Sequence, residues 1–226
     1  MKYFPINLDI AGRKCTVVGG GKVAARKVAT LLDCGGAVLV ISPELAIELE
    51  ELYQAERISW LQRQYQPGDL RDSFLVIAAT DDESVQEDVF VEAEKNGLLI
   101  NVADVPQRCN FILPAIVKRD DLTISISTAG KSPALASKLR QNFEEIVGPE
   151  YGTLAEIMGL LRAEVLAQGR PHEENKIIFA SLLHENFADW VKAGNWSKIE
   201  EHLNGIMADN LSAKCLNSLK KVLNCD

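Results

Sequence analysis

An α/β fold, with a parallel sheet in its first half and helices alone in its last third, is predicted by three features of the sequence. Short, fully apolar runs alternate with segments whose apolar residues recur at helical spacing. The first run breaks into three consecutive glycines, Gly19-Gly20-Gly21, and leads directly into a helical pattern. Past residue 149 the strand-like runs stop and helical periodicity continues by itself.

Taken in order, residues 14–18 form the first strand. A helix follows over 22–32, with Val23, Ala24, Val28, Leu31 and Leu32 as its apolar stripe. Gly35-Gly36 ends it, as glycine just past a helix does. The run 37–41 is the second strand, and Ser42-Pro43 has the N-cap and N1 signature of a helix reaching about residue 53. A third strand over 58–61 precedes the loop signal Gln66-Pro67-Gly68. Residues 74–79 make the fourth strand, Thr80-Asp81-Asp82 opens the next helix, Asn96-Gly97 closes it, and 98–102 is the fifth strand. Apolar strands alternating with helices indicate a sheet covered on both faces, so residues 1–110 are read as a Rossmann-like domain. After Asp104-Val105-Pro106, residues 111–117 and 122–127 flank the charged turn 118–121 as an antiparallel hairpin. Ser132-Pro133 then suits the start of a helix ending near 147, which makes 111–148 a small α+β region. Gly148-Pro149 marks a boundary, and helices over 151–167, 173–193, 196–207 and a short last segment make 149–226 an all-α domain.

Composition narrows the function. The 226 residues are 47% hydrophobic and 25% charged, as in a globular protein able to bury a core. No apolar run approaches the roughly 18 residues that span a bilayer, and the first residues lack a signal peptide's long apolar stretch. A cytoplasmic protein with no membrane partner is expected. The formal net charge of −8 argues against nucleic-acid binding, and means that an anionic ligand needs locally collected Lys and Arg. The five cysteines (15, 34, 109, 215 and 225) include no C-x-x-C pair and read as reduced, structural thiols. All three histidines lie in the last third, so no His/Cys metal cage is expected in the first 170 residues.

Gly19, Gly21 and Ala24 fit the G-x-G-x-x-G/A spacing of a dinucleotide-binding turn. The first glycine permits the tight turn and the second lets a pyrophosphate approach the backbone. The third small residue lets helix and strand pack closely. Phosphate then sits on free N–H groups at the helix N-terminus. The position after the second strand, where an acid commonly binds the adenosine ribose, holds Ser42, with Pro43 and Glu44 following; a carboxylate at Glu44 favours NAD over a 2′-phosphate cofactor. The loops at 80–82, 102–104 and 128–132 are expected at the same sheet edge, with Thr80 as a cofactor contact and Asp81 and Asp82 as helix caps. Asp104 follows the fifth strand with no helix to cap, and is placed to act as a base.

Val17-Val18-Gly19-Gly20-Gly21-x-Val23-Ala24-x-Arg26-Lys27, Ala78-Ala79-Thr80-Asp81-Asp82, Asn101-Val102-x-Asp104, Phe111-Ile112-x-Pro114 and Ser127-x-x-Gly130-x-Ser132-Pro133 form an ordered series. Together they resemble the precorrin-2 dehydrogenase/sirohydrochlorin ferrochelatase family, the N-terminal module of siroheme synthase, over residues 1 to about 147. The resemblance implies NAD-dependent oxidation of precorrin-2 to sirohydrochlorin. Many members also insert Fe²⁺ to give siroheme. It places the family's catalytic aspartate on Asp104 and its cofactor contacts on Lys22, Val23, Pro43 and Glu44. A serine phosphorylated in some relatives corresponds to Thr128. Residues 111–148 match a dimerisation region, which implies a homodimer, and the methyltransferase module of longer relatives is expected to be absent. Arg108, Arg119, Lys131, Lys138 and Arg140 are candidates to meet the carboxylates of the tetrapyrrole. Cys109 is read as a buried structural thiol, His184 and His202 as packing or surface residues, and Trp60, Trp190 and Trp196 as core or interface residues. Two alternatives stand beside this reading: dehydrogenation alone with a separate chelatase, and a dimeric NAD(H)-sensing regulatory module.

Overall fold

The structure is a computed structural model describing residues 2–207 and 211–223. Cys225 therefore lies outside the described residues. The chain separates into two compact units, Met1–Leu113 and Pro114–Asp226.

In the first unit, β1 (Lys14–Val18), β2 (Ala37–Ser42), β3 (Ser59–Gln62), β4 (Leu75–Ala78) and β5 (Leu99–Val102) form one sheet in the order β3-β2-β1-β4-β5, every pair parallel. Helices α1 (Lys22–Asp33), α2 (Ile47–Gln54) and α3 (Glu83–Lys95) connect the strands. Alternation along the strands divides the core in two. Cys15, Val17, Val38, Val40, Leu75 and Ile77 meet Ala24, Val28, Leu31 and Leu49 of α1 and α2. Val18, Ile41, Val76, Ala78, Ile100 and Val102 meet Val89 and Ala93 of α3. With both faces covered, these strands are apolar on both sides rather than alternating with polar residues, Thr16 and Ser42 being buried polar exceptions. The chain leaves β1 toward β2 and returns through β4 on the other side, so the carboxyl ends of β1 and β4 flank the switch point where ligands of open α/β sheets bind.

One helix begins later than its sequence suggests. Ser42 does not cap a helix: it pairs in the sheet with Gln62, its hydroxyl donates to the Glu44 carbonyl at 2.7 Å, and the Trp60 indole donates to the Ser42 carbonyl at 2.9 Å. These bonds hold residue 42 extended, and α2 starts at Ile47 with Ala46 as N-cap. At the other sheet edge, Asn110 serves β5 as a neighbouring strand would. Its backbone N–H donates to the Ile100 carbonyl at 3.1 Å and its side-chain oxygen accepts the Ile100 N–H at 2.8 Å. Its amide group donates to the Leu98 carbonyl at 2.7 Å.

In the second unit, β6 (Ala115–Arg119) and β7 (Leu122–Ile126) pair antiparallel as a hairpin. Asp120 at its tip takes a left-handed φ of 51°, a conformation that aspartate tolerates better than most residues. Helix α4 (Pro133–Ile146) has Ser132 as N-cap, accepting from the Leu135 N–H at 3.2 Å, with Pro133 in the first turn. Among the described residues five further helices follow: α5 (Glu150–Ala167), α6 (His172–Leu182), α7 (Phe187–Lys192), α8 (Trp196–Met207) and α9 (Ala213–Val222). Ile157, Leu161, Val165, Leu182, Phe187, Ile199, Leu203 and Leu219 form their shared core, against which Trp190 and Trp196 pack. The single helix expected over 173–193 is two. His184 donates its backbone N–H to the Leu182 carbonyl and takes the Asn186 N–H on its ring Nδ1, while the His202 ring lies 3.2 Å from that same carbonyl. The backbone groups that would continue α6 are thereby used in a turn.

Candidate cofactor turn and catalytic carboxylate

The glycine turn is fixed from both sides. Gly19 has φ 121°, and a side chain there would overlap the Ala79 carbonyl in the loop after β4. A side chain at Gly20 would overlap the Glu44 carbonyl, in the loop after β2, and come 2.5 Å from the hydroxyl of Ser42, the last residue of β2. The Ala46 N–H donates to the Gly20 carbonyl at 2.7 Å, Gly19 N–H to Ile41 at 2.9 Å, and Ala79 N–H to Val18 at 2.7 Å. Gly20 is thus as constrained as Gly19. The spacing motif leaves it a free position, and the run of three glycines is the only sequence signal for it.

Gly21 is different. It is the N-cap of α1, has no side-chain cap, and a side chain there would meet nothing within 4 Å. The first intrahelical bond runs from the Ala25 N–H to the Gly21 carbonyl, so the N–H groups of Lys22, Val23 and Ala24 have no partner within the helix. The first turn carries no acid. Ala24 is fully buried against the sheet. Closed by Gly19 and Gly20 and open at Gly21, with unpaired donors and the positive end of the helix dipole, the turn fits the phosphates of a dinucleotide.

The neighbouring loops sit at the same carboxyl edge. Ser42 is buried, whereas Pro43 and Glu44 are exposed. Glu44 precedes α2 by three residues and so is not a first-turn helix acid. Thr80 is half-buried; its hydroxyl accepts the Asp82 N–H at 3.3 Å and its carbonyl accepts the Gln86 side chain at 2.7 Å. Asp82 caps α3, accepting from the Ser84 and Val85 N–H groups at 2.9 and 3.2 Å. The Ser84 hydroxyl, and then these N–H groups, hold its carboxyl below the usual range.

Asp104 follows β5 directly, is exposed, and has a left-handed φ of 60°. It enters no ion pair among the described residues. Lys22, Arg26 and Lys27 on α1 likewise have none. Burial pushes the Lys27 ammonium down, Arg26 adds to that, and the Asp104 carboxylate opposes both, so the carboxylate lies within electrostatic reach of α1. Lys22 is a cofactor contact expected from the sequence, whereas Arg26 and Lys27 were missed as ligand candidates because their relation to Asp104 is tertiary.

The five cations singled out from the sequence separate into two groups. Arg108 pairs with Glu87 at 2.5 Å, and Arg140 with Glu144 at 2.5 Å. Arg119 caps the end of α4 by donating to the Val147 and Glu144 carbonyls at 2.8 and 3.1 Å. Lys131 and Lys138 are exposed and carry no ion pair among the described residues. The Thr128 hydroxyl closes its own loop, accepting the Ser132 N–H and donating to the Ser132 carbonyl, both at 3.1 Å. His184 stacks on Trp190 with ring centroids 4.7 Å apart, and His202 meets His184, Phe187 and Trp190 edge-on in the same aromatic cluster. Among the described residues no group of three or more His, Cys, Asp or Glu is arranged to hold a metal ion, and no helix is long and apolar enough to cross a membrane.

Comparison with known proteins agrees with this geometry. The model of a family described as NAD(P)-binding matches residues 6–115, and that of the sirohaem biosynthesis protein central region matches 119–146. Siroheme synthase from Photorhabdus laumondii is 39% identical over 203 residues, covering 90% of this chain and 43% of that protein. Over nine-tenths of its own length the chain is similar to siroheme synthase. The siroheme synthase of Nitrosococcus oceani is 38% identical over 200 residues, 88% of this chain and 43% of that protein. The chain thus spans under half the length of these relatives. A solved structure titled SirC, precorrin-2 dehydrogenase, has the same fold, with a TM-score of 0.78 over 91% of this chain and 100% of that one at 24% identity. The family match makes the first unit an NAD(P)-binding domain, as the open glycine turn indicates.

Proposed function

We propose that the chain oxidises precorrin-2 to sirohydrochlorin with NAD⁺, using Asp104 as the base. The observation that carries this reading is Asp104 itself, an exposed carboxylate without an ion pair among the described residues, on the sheet edge that also carries the open glycine turn. The first N–H groups of α1, at Lys22 and Val23, hold the cofactor phosphates, with Gly19 and Gly21 giving them room. Pro43 and Glu44 with Ser42 bound the adenosine ribose, and the Glu44 carboxylate selects NAD over a 2′-phosphorylated cofactor. Thr80 borders the same crevice. NAD⁺, when bound, supplies the hydride acceptor. Asp104 takes the proton that leaves the macrocycle with the hydride, which balances the two-electron oxidation. Lys22, Arg26 and Lys27 offset the charge of a polycarboxylate substrate in a chain whose net charge is −8.

The same carboxylate serves a second step. Insertion of Fe²⁺ releases pyrrole N–H protons, and a base beside the ring accepts them without any fixed protein ligand to the metal. Iron is here a substrate. The wider reading is a cytoplasmic homodimer in which 1–110 binds NAD, 111–148 forms the dimer contact and 149–226 is a helical domain.

The test is anaerobic mixing of the protein, precorrin-2 and NAD⁺, followed by visible spectroscopy. Appearance of sirohydrochlorin, and a further change to siroheme on adding Fe²⁺, is expected. An unchanged first spectrum overturns the enzymatic reading, while a second stage no faster than Fe²⁺ alone leaves a dehydrogenase. Asp104→Ala should lose about 10²–10⁴-fold in kcat, the usual share of a general base, with NAD⁺ affinity retained.

A further inference from the structure

We infer that Cys109 is the positioning residue for Asp104: its thiol ties the carboxyl end of β5 to the backbone just past the aspartate and so sets where the carboxylate points. The inference rests on the proposed role of Asp104. The Cys109 Sγ accepts the Val102 N–H at 3.2 Å and lies 3.3 Å from both the Val102 and the Val105 carbonyl oxygens, to one of which its S–H donates. One sulfur atom therefore contacts the backbone on each side of Ala103-Asp104. The Asn101 amide is a further, longer neighbour at 3.7 Å, and its stronger bond goes to the Phe111 carbonyl at 3.1 Å.

The segment needs such a tie. Asp104 has a left-handed φ, a conformation that a residue other than glycine keeps where its surroundings hold it. The bonds that cross the segment locally are the Val105 N–H to the Val102 carbonyl at 3.3 Å and the Ala103 N–H to the Ala78 carbonyl at 2.9 Å. Among the described residues Asp104 makes no side-chain hydrogen bond or ion pair that would orient it, so its direction follows from the backbone. Burial raises the Cys109 thiol above its usual range, against a smaller opposite effect of the Val102 N–H, so the sulfur keeps its proton at neutral pH and remains a donor. Asn110 holds the end of the loop to β5 by three bonds of its own. Removing the thiol therefore releases the stretch around Asp104 and leaves the loop anchored.

The test is a double-mutant cycle on the full chain, reading precorrin-2 oxidation at saturating NAD⁺. Cys109→Ala is expected to lower kcat about 10- to 100-fold, the scale of a small misplacement of a reacting group, with the KM for NAD⁺ unchanged. Cys109→Ser, which keeps one donor and one acceptor, should recover most of the rate. In an Asp104→Ala background, Cys109→Ala should cost nothing further, because the thiol acts through the carboxylate. An equal fold-loss in both backgrounds, a raised KM for NAD⁺ with kcat intact, or a wild-type rate in Cys109→Ala each overturns the inference. A wild type that never turns precorrin-2 over overturns the proposed function, and this inference with it; a wild type that does, matched by Cys109→Ala, removes the role of the thiol alone.

Discussion

A methyl group added at Gly20 would overlap the Glu44 carbonyl, whereas one added at Gly21 meets nothing within 4 Å. Neither residue has a positive φ, so the difference is one of space and not of backbone conformation. Gly20→Ala is expected to destabilise the first unit by about 1–3 kcal/mol, the cost of forcing atoms into a filled site, measured by denaturant unfolding. Gly21→Ala should leave unfolding unchanged and weaken NAD⁺ binding, measured by titration; equal loss of stability in the two variants would refute the assignment. The spacing of Gly19, Gly21 and Ala24 made the turn legible, because close helix–strand packing leaves its mark within one stretch of chain. The role of Gly20 was not legible, since the atoms that exclude a side chain come from the loop after β2. Likewise the φ of Asp104 depends on a thiol five residues on, which no local pattern encodes.

Among elements, those that bury one face completely were the easiest to read, and those closed by side-chain hydrogen bonds the hardest. β1 and β4 announce themselves as apolar runs because both faces of the sheet are covered. The start of α2 was displaced by the Ser42 hydroxyl, and the gap between α6 and α7 by two histidine rings, both of which look like ordinary helix residues in sequence. The connection from β3 to β4 is of the second kind. The Glu92 carboxylate on α3 receives the Tyr65 hydroxyl and the Gly68 and Leu70 N–H groups, the latter two at 2.7 and 3.1 Å. Arg63 grips Asp69 through two nitrogens at 2.6 and 2.7 Å. Those bonds hold the Asp69 carboxyl below its usual range, with the Gln66 N–H helping and burial opposing. A depressed carboxyl stabilises the fold in full above the unfolded value of about 3.9, and that contribution is lost as pH falls through the lower folded value. Asp69→Asn is therefore expected to lower stability at neutral pH and to flatten its decline below about pH 4. An acid limb of unchanged slope in thermal melts across that range would rule the pair out as a source of acid sensitivity.

At the scale of the molecule, each unit carries its own core, and the second also presents apolar surface. Along α4, Ala136 faces inward while Leu135, Phe143 and Ile146 remain 51%, 38% and 67% exposed. Their spacing of eight and three residues puts them on one stripe of the helix. Surface of this kind in a chain with a net charge of −8 is not needed for solubility, and covering each such side chain contributes roughly 1.5–3 kcal/mol. A second copy of the chain, paired through the α4 stripe, is the arrangement proposed. Phe143→Asp with Ile146→Asp places two carboxylates where that contact would be dry, beside Glu144 and Glu145 of the same helix. Loss of about 2 kcal/mol, the threshold of an interface hot spot, corresponds to a roughly 30-fold weaker dimer. Sedimentation velocity over a concentration series should then show wild type as a dimer and the double variant shifted to monomer, with NAD⁺ affinity unchanged because the glycine turn belongs to the other unit. A wild-type monomer at the same concentrations, or a variant dimer as tight as wild type, would remove α4 from the assembly.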